Sequence, residues 1–166
     1  KEINNDGLDN DANGFIDDYY GWDFLTNSPD ARPKFTDSFS RLGINHGTIV
    51  AGVIGAVGHN NLGISGLSWK IKIMPLRALD GEGKGESAAF IRAINYAIRQ
   101  KADIINLSVV GRHNDPLLQE AISQAYRQGI MVISAAGNES ANSEIDEDLD
   151  FLPLIRFAMT EPATKF

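Results

Sequence analysis

The chain has 166 residues, of which 43 % are hydrophobic and 22 % are charged, and it contains no cysteine. This composition is typical of a folded globular domain and excludes disulfides, thiolate metal sites and a cysteine nucleophile. The formal net charge of -7 argues against nucleic acid as a partner and leaves room for cation binding. We also expect no membrane insertion, because no apolar run approaches the ~18 residues of a span.

The first half of the chain changes character near residue 46. Residues 1–23 are rich in Asn, Asp and Gly and indicate an ordered loop, and residues 24–45 are predicted to be irregular. Small apolar residues then predict a buried helix over 46–56. Polar and apolar residues alternate over 70–74, which predicts a strand, and a glycine-rich turn follows at 81–85.

The second half alternates regularly between helices and strands. Residues 87–101 have apolar side chains at helical spacing, and 103–109 form a β-rich run. The next helix, over 115–129, begins with an Asp N-cap and a Pro in its first turn and stops at a Gly. Residues 130–134 predict another strand. This order predicts an α/β fold with a parallel sheet and helices on both faces.

His46 is the first candidate for catalysis. It lies in Asn-His-Gly-Thr-Ile-Val-Ala-Gly, residues 45–52, at the predicted start of a helix. The positive end of a helix dipole disfavours imidazolium and keeps the ring neutral, as a general base requires. A single histidine at such a position is also typical of a capping or packing role, so the neighbouring motifs decide between the two.

Two further segments follow predicted strands. Ser-Ala-Ala-Gly-Asn-Glu, residues 134–139, offers a glycine that lets a substrate approach and an amide, Asn138, that can donate to an oxyanion. An ordinary Gly-Asn turn is the alternative interpretation. Asn-Leu-Ser-Val-Val-Gly, residues 106–111, also ends a strand, where ligand sites of α/β sheets lie.

Together these segments resemble the subtilisin-like serine proteases, the subtilases of the peptidase S8 type. Asn-His-Gly-Thr-x-Val-Ala-Gly surrounds their catalytic histidine, Ala-Ala-Gly-Asn contains their oxyanion asparagine, and Asn-Leu-Ser begins the strand that pairs with substrate. Residues 2–24 resemble an insertion found between the catalytic Asp and His of many bacterial subtilases, and 60–66 resemble the loop after the histidine helix. The resemblance runs from about residue 2 to 140.

The resemblance implies a three-layer αβα subtilisin-like fold and a serine endopeptidase. It makes His46 the general base and Asn138 the oxyanion donor. The residues that it places at the peptide substrate are Gly81, Gly83, Ser108, Val109, Val110, Gly111, Ala136 and Gly137. It also implies a propeptide as a further partner and an extracellular or cell-envelope location.

Two family motifs are absent from these 166 residues: the Asp-Thr/Ser-Gly turn of the catalytic aspartate and the Gly-Thr-Ser-Met-Ala of the nucleophile. We therefore expect residues 1–166 to be part of a catalytic domain, incomplete at both ends, with core motifs over 46–140. We expect this piece to be inactive by itself, since it holds one member of the triad. The alternative to a peptidase is a non-catalytic binding module, a pseudoenzyme.

The N-terminal loop predicts a structural calcium site. Oxygen donors at alternate positions, followed by a glycine, are typical of calcium loops. The predicted ligands are Asp9, Asp11, Asn13, Asp17 and Asp18. The loop is not an EF-hand, because its twelfth position is Tyr20, and a solvated turn is the alternative. A second and weaker calcium candidate is the loop at Asn60 and Asn61.

A nucleotide-binding domain is the competing class of function. The 81–85 turn follows a predicted strand, as a dinucleotide fingerprint does. The sixth position of that fingerprint is Glu86 here, where a glycine is required, and Glu82 adds a second negative charge. Both carboxylates would face a pyrophosphate, so we disfavour this interpretation.

Overall fold

The computed structural model describes residues 2–35, 40–110 and 115–135. The chain forms two compact units, Lys1–Ala93 and Ile94–Phe166, and their boundary falls inside one helix. In chain order the elements are a 3₁₀ turn (Asp18–Tyr20), β1 (Trp22–Asp23), α1 (Arg41–Gly55), β2 (Leu76–Arg77), α2 (Ser87–Arg99), β3 (Ile104–Leu107), α3 (Pro116–Arg127) and β4 (Met131–Ser134).

The first unit is built around a short parallel pair. In this pair Trp22 of β1 lies opposite Leu76 of β2, and Asp23 lies opposite Arg77. The Trp22 amide donates to the Pro75 carbonyl at 3.1 Å, which continues the pairing beyond the two-residue strands. The apolar side chains buried in this unit are Trp22, Phe24, Ile44, Ala78, Ala89 and Ala93. The Arg92 Nη2 donates to the Phe24 carbonyl at 2.6 Å, so the middle of α2 is tied to the residue after β1.

The predicted start of α1 is wrong, because the helix begins five residues before His46. Ser40 has extended backbone angles and its hydroxyl accepts from the Gly43 amide at 2.8 Å, which satisfies one of the unpaired donors of the first turn. The residues after Ser40 therefore become helical although their side chains show no apolar period. The segment predicted to be irregular ends at the cap.

The predicted strand over 70–74 is also wrong. This segment has no strand partner among the residues that the structure describes, and the strand in this region is β2, two residues further along. Alternation of polar and apolar side chains favours extended backbone, but a strand also needs a neighbour that accepts and donates its hydrogen bonds. Here the neighbour is β1, whose register partners are Leu76 and Arg77, and its hydrogen bonds extend back no further than Pro75 in the described residues.

The expected burial of residues 46–56 is not found within the described part of the chain, although Ile44, two residues before that segment, is buried. Ile49 and Val53, one turn apart, are 54 % and 57 % exposed. The end of the helix does pack, since an ideal Cβ at Gly55 would lie 2.7 Å from the Ile71 Cδ1. The apolar sequence of α1 thus covers one neighbouring segment and leaves most of its length open.

In the second unit the predicted elements agree closely with the structure. β3 and β4 are parallel, in a register that runs from Ile104 opposite Met131 to Leu107 opposite Ser134. The Asp115 carboxylate caps α3 by accepting from the amides of Leu117 and Leu118, as predicted. The helix ends before Gly129, whose φ of +80° is the left-handed conformation that stops a helix. The buried side chains here are Ile94, Tyr96, Ala97, Ile105, Ala121, Ile122, Ala125 and Ile130.

Helices alternating with parallel strands confirm the α/β class predicted from the sequence. The sheets in the described residues are two pairs of strands, so helices on both faces of one sheet stay a prediction. Within the described ranges, none of the helices combines the length and the apolar character that crossing a bilayer requires.

Candidate active site

His46 lies in the second turn of α1 and its side chain is exposed. The prediction that it opens the helix is therefore wrong. The field of a helix N-terminus is confined to the first turn, so the helix dipole gives no reason to choose His46 as the base. What the structure supplies instead is access: the ring sits on a rigid helix and faces solvent.

The predicted substrate turn lies beside the start of the same helix. The Ser40 amide donates to the Gly81 carbonyl at 2.9 Å, and Gly81 itself is buried. Asp80 orders the turn, because its Oδ1 accepts from the amides of Glu82 and Lys84, each at 2.9 Å. Gly83 has a φ of +82°, which a residue with a side chain rarely adopts. The first unit thus brings two predicted site segments together, the 81–83 turn and the helix that bears His46.

The second unit brings together the other two predicted segments. Leu107 and Ser134 are paired at the carboxyl ends of β3 and β4, and the Ala135 amide donates to the Leu107 carbonyl at 3.1 Å. Residues 108–110 therefore leave the sheet beside the end of β4 at Ser134 and Ala135. The Asn106 Nδ2 donates to the Ser108 Oγ at 2.8 Å and fixes the first residue of this exit. Open α/β sheets bind ligands at such carboxyl edges.

The structure places Ser108, Val109 and Val110 directly after β3, with Ser108 and Val109 half-buried and Val110 exposed. Four of the predicted site residues lie outside the described residues, namely Gly111, Ala136, Gly137 and Asn138.

The acidic N-terminal loop is ordered by its own carboxylates. Asp9 accepts from the amides of Asn13 and Gly14, at 3.0 and 2.8 Å. Asp17 accepts from the amide of Gly7 at 3.1 Å, and the Asn13 Nδ2 donates to Asp18 at 2.8 Å. Hydrogen bonds from backbone amides thus offset part of the repulsion that the sequence alone indicates.

Three carboxylates of this loop converge, and one of them was not among the predicted ligands. Oxygens of Glu2, Asp9 and Asp11 lie within 4.8 Å of one another. Glu2 is buried, and its two oxygens accept from the amides of Asn10 and Asp17 at 3.1 and 3.0 Å. The described residues therefore bring Glu2 together with the predicted ligands Asp9 and Asp11, and the predicted roles of Asn13, Asp17 and Asp18 stay predictions. Sequence spacing gave no signal for Glu2, because it lies outside the alternating run.

The converging oxygens fit a calcium ion in donor chemistry. Calcium takes hard oxygen ligands, and three carboxylates supply them from the start and the middle of the loop. At the second candidate loop, the Asn60 Oδ1 accepts from the Leu62 amide at 3.0 Å in a local turn. Calcium binding at either place stays a prediction.

Comparison with known proteins identifies the family. The subtilase family model matches residues 3–151. The chain is 39 % identical over 118 residues to thermitase of Thermoactinomyces vulgaris, covering 71 % of this chain and 39 % of that protein. It is 41 % identical over 107 residues to the major intracellular serine protease of Bacillus subtilis, covering 64 % of this chain and 33 % of that protein. It is 31 % identical over 115 residues to the minor extracellular protease Epr of Bacillus subtilis, covering 69 % of this chain and 18 % of that protein.

The chain thus spans two fifths or less of these three relatives, and their names place them on both sides of the cell boundary. The match to the family model includes the His46 motif, the 81–83 turn and the carboxyl ends of β3 and β4. By this match the chain belongs to the subtilase family.

Proposed function

We propose that the protein containing this chain is a serine endopeptidase that hydrolyses polypeptides, with His46 as its general base. The observation that carries the proposal is that His46, inside the family's Asn-His-Gly-Thr motif, is exposed on α1. The N-cap of this helix, Ser40, is hydrogen-bonded to the 81–83 turn. An exposed imidazole on a rigid element can exchange a proton with a bound substrate, which a buried structural histidine cannot do.

In this reaction the hydroxyl of a serine attacks the peptide carbonyl. The serine belongs to the Gly-Thr-Ser-Met-Ala motif, which these 166 residues do not contain. His46 takes the hydroxyl proton as the carbon–oxygen bond forms and gives it to the leaving amine as the carbon–nitrogen bond breaks. The carbonyl oxygen becomes negative in between, and the Asn138 amide donates to it.

The extended substrate lies along backbone that the glycines leave accessible. In the first unit we expect the exposed Gly83 to border the substrate, while the buried Gly81 holds the turn through its carbonyl. In the second unit we expect residues 108–110 to pair with the substrate after β3. Support for this arrangement comes from the contact of the turn with Ser40 and from the register of β3 and β4. Val109 and Val110 stand where the family often has a Leu-Gly or Gly-Gly sequence, so we expect them to change the width of the specificity cleft.

We further propose a structural calcium ion in the N-terminal loop, held by Glu2, Asp9 and Asp11. The convergence of their oxygens within 4.8 Å supports this assignment. The ion would turn the mutual repulsion of these carboxylates into ligation. We also propose an extracellular or cell-envelope location, which the relatives' names neither favour nor oppose.

Hydrolysis of an unstructured protein by the full-length protein tests the catalytic proposal. His46→Ala should lower kcat by roughly 10⁴–10⁶-fold, as loss of the base does in this type of triad. His59→Asn is the matched control, because His59 stacks on the edge of Trp69 outside the site and asparagine tolerates its φ of +58°. Equal activity of His46→Ala and wild type would exclude His46 as the base, and an inactive wild type would favour the pseudoenzyme.

A further inference from the structure

The start of α1 and the 81–83 turn share one junction, which is centred on Gly43. On one side, the Ser40 hydroxyl accepts from the Gly43 amide at 2.8 Å and caps the helix. On the other, the Ser40 amide donates to the Gly81 carbonyl at 2.9 Å. A single residue, Ser40, therefore ties the helix that bears His46 to the glycine turn.

Gly43 is required at this junction for space. An ideal Cβ on Gly43 would lie 2.6 Å from the Ser40 Oγ, 3.0 Å from the Glu82 carbonyl carbon and 3.1 Å from the Gly81 oxygen. Two of these three atoms belong to the backbone of the turn, which cannot rotate away as a side chain can. Its φ is not in the left-handed region, and inside a helix alanine is intrinsically favoured over glycine. Backbone conformation thus gives no reason for a glycine here, whereas close approach does.

We propose that Gly43 is a positioning residue that sets the distance between the 81–83 turn and the helix of His46, and thereby the affinity for extended substrates. This inference rests on the proposed function. A methyl group at position 43 displaces the capping hydroxyl and moves the turn outward by a few tenths of an ångström. His46 is held one turn further along by the hydrogen bonds of α1 itself. The substitution therefore changes where a long substrate lies and leaves the proton transfer intact.

Steady-state kinetics of the full-length protein on two substrates test this directly. With an extended peptide, Gly43→Ala should raise KM roughly 3- to 10-fold, the change that loss of one hydrogen bond produces, and leave kcat unchanged. With a single-residue ester, which does not reach the turn, both constants should equal those of wild type. Lys84→Ala is the control in the same turn, because its ammonium is exposed and pairs with the Glu82 side chain at 2.6 Å, so its KM should not change.

Two further variants separate the turn from the helix cap. Ser40→Gly removes the capping hydroxyl and keeps the backbone amide, so its KM should equal that of wild type. The double variant S40G/G43A removes the 2.6 Å contact and keeps the two backbone contacts, so its KM should stay raised. A double variant with the wild-type KM would assign the effect to the cap and would overturn the role proposed for Gly43.

Amide hydrogen exchange at residue 40 gives a readout that does not depend on activity. In wild type and Ser40→Gly this amide should be protected by its bond to the Gly81 carbonyl, and in Gly43→Ala it should exchange faster. Unchanged protection together with an unchanged KM overturns the proposal. If the wild type hydrolyses nothing, the proposed function fails, and the exchange result still decides whether Gly43 positions the turn.

Discussion

Asp23 and Arg77 form a buried ion pair that joins β1 to β2 directly across their register. The Arg77 Nη1 donates to the Asp23 Oδ2 at 2.6 Å, and the two side chains are 13 % and 0 % exposed. The other carboxylate oxygen accepts from the amides of Leu25 and Thr26 at 2.8 and 3.2 Å. Burial is the largest influence and raises the pKa of Asp23, but the hydrogen bonds from Thr26, Leu25 and Arg77 together outweigh it and lower that pKa.

Removing the charge of Asp23 should destabilise the protein strongly. Asp23→Asn leaves the largely shielded guanidinium of Arg77 without its charged partner. Removing one partner of a buried pair typically costs about 3–5 kcal/mol in the free energy of unfolding. Urea denaturation at neutral pH measures this loss. Glu120→Gln is the control, because Glu120 pairs with Arg127 and both side chains are exposed, and exposed pairs contribute about 0–1 kcal/mol. Equal destabilisation by the two variants would contradict a structural role for the buried pair.

The same pair predicts the direction of the pH dependence. Because the pKa of Asp23 is lowered by folding, its contribution to stability is complete above the unfolded value of about 3.9 and is lost as the pH falls through the folded value. When the pH is lowered from 5 to about 3, wild type should therefore lose more free energy of unfolding than Asp23→Asn does. Parallel pH profiles for the two proteins would mean that the carboxylate is not stabilised in the folded state.

Gly21 should tolerate no side chain. Its φ is +100°, and an ideal Cβ would lie 2.0 Å from the Pro75 carbonyl oxygen, which is the acceptor for the Trp22 amide. Gly14 is a matched control, since its φ is +92° and no atom lies within 4 Å of the same Cβ. Gly21→Ala should lower stability by several kcal/mol, whereas Gly14→Ala should show only the backbone strain of about 1–2 kcal/mol. Thermal melting of both variants distinguishes steric exclusion from strain, and equal melting temperatures would contradict the contact with Pro75.

Calcium should stabilise the N-terminal loop through Glu2, Asp9 and Asp11. Binding to the folded state adds about 2.7 kcal/mol at a hundredfold excess over Kd. Thermal melting with millimolar calcium and with chelator should show a rise in wild type that shrinks in Glu2→Gln and Asp11→Ala. Glu120→Gln, an exposed carboxylate on α3, should keep the full rise. An undiminished rise in both loop variants would place the ion elsewhere, and the Asn60–Asn61 loop is the next place to test.

The Asn138 amide should stabilise the transition state and contribute little to substrate binding. Asn138→Ala in the full-length protein should lower kcat by about 10²–10³-fold, the effect of losing one oxyanion donor in subtilisin itself, and leave KM nearly constant. Only kcat should fall, because the Asn138 amide donates to a negative charge that forms in the transition state and is absent from the bound substrate. Progress curves over a range of substrate concentrations give both constants. A raised KM with an unchanged kcat would assign Asn138 to substrate binding.

Local sequence signals predicted the second unit well because its elements are capped and periodic. Asp115, Pro116 and Gly129 each act through neighbouring backbone, so their effect can be deduced without tertiary contacts. In the first unit the decisive contacts do not follow a local pattern. β2 pairs with a two-residue strand far away in the sequence, and Glu2 approaches Asp9 and Asp11 because the loop between them folds back. Ser40 is a local signal for the start of α1, since serine is a favoured N-cap, but the apolar period begins only several residues later and does not mark it.

Labelling with a fluorophosphonate tests most directly whether this protein cleaves peptides through a serine activated by His46. The probe reacts with a serine hydroxyl only when a base has activated it. The full-length wild type should be labelled stoichiometrically at a serine outside residues 1–166, and His46→Ala should be labelled slower by orders of magnitude. Residues 1–166 alone should remain unlabelled. Equal labelling rates for wild type and His46→Ala, or stoichiometric labelling of a serine within these 166 residues, would contradict the proposed mechanism.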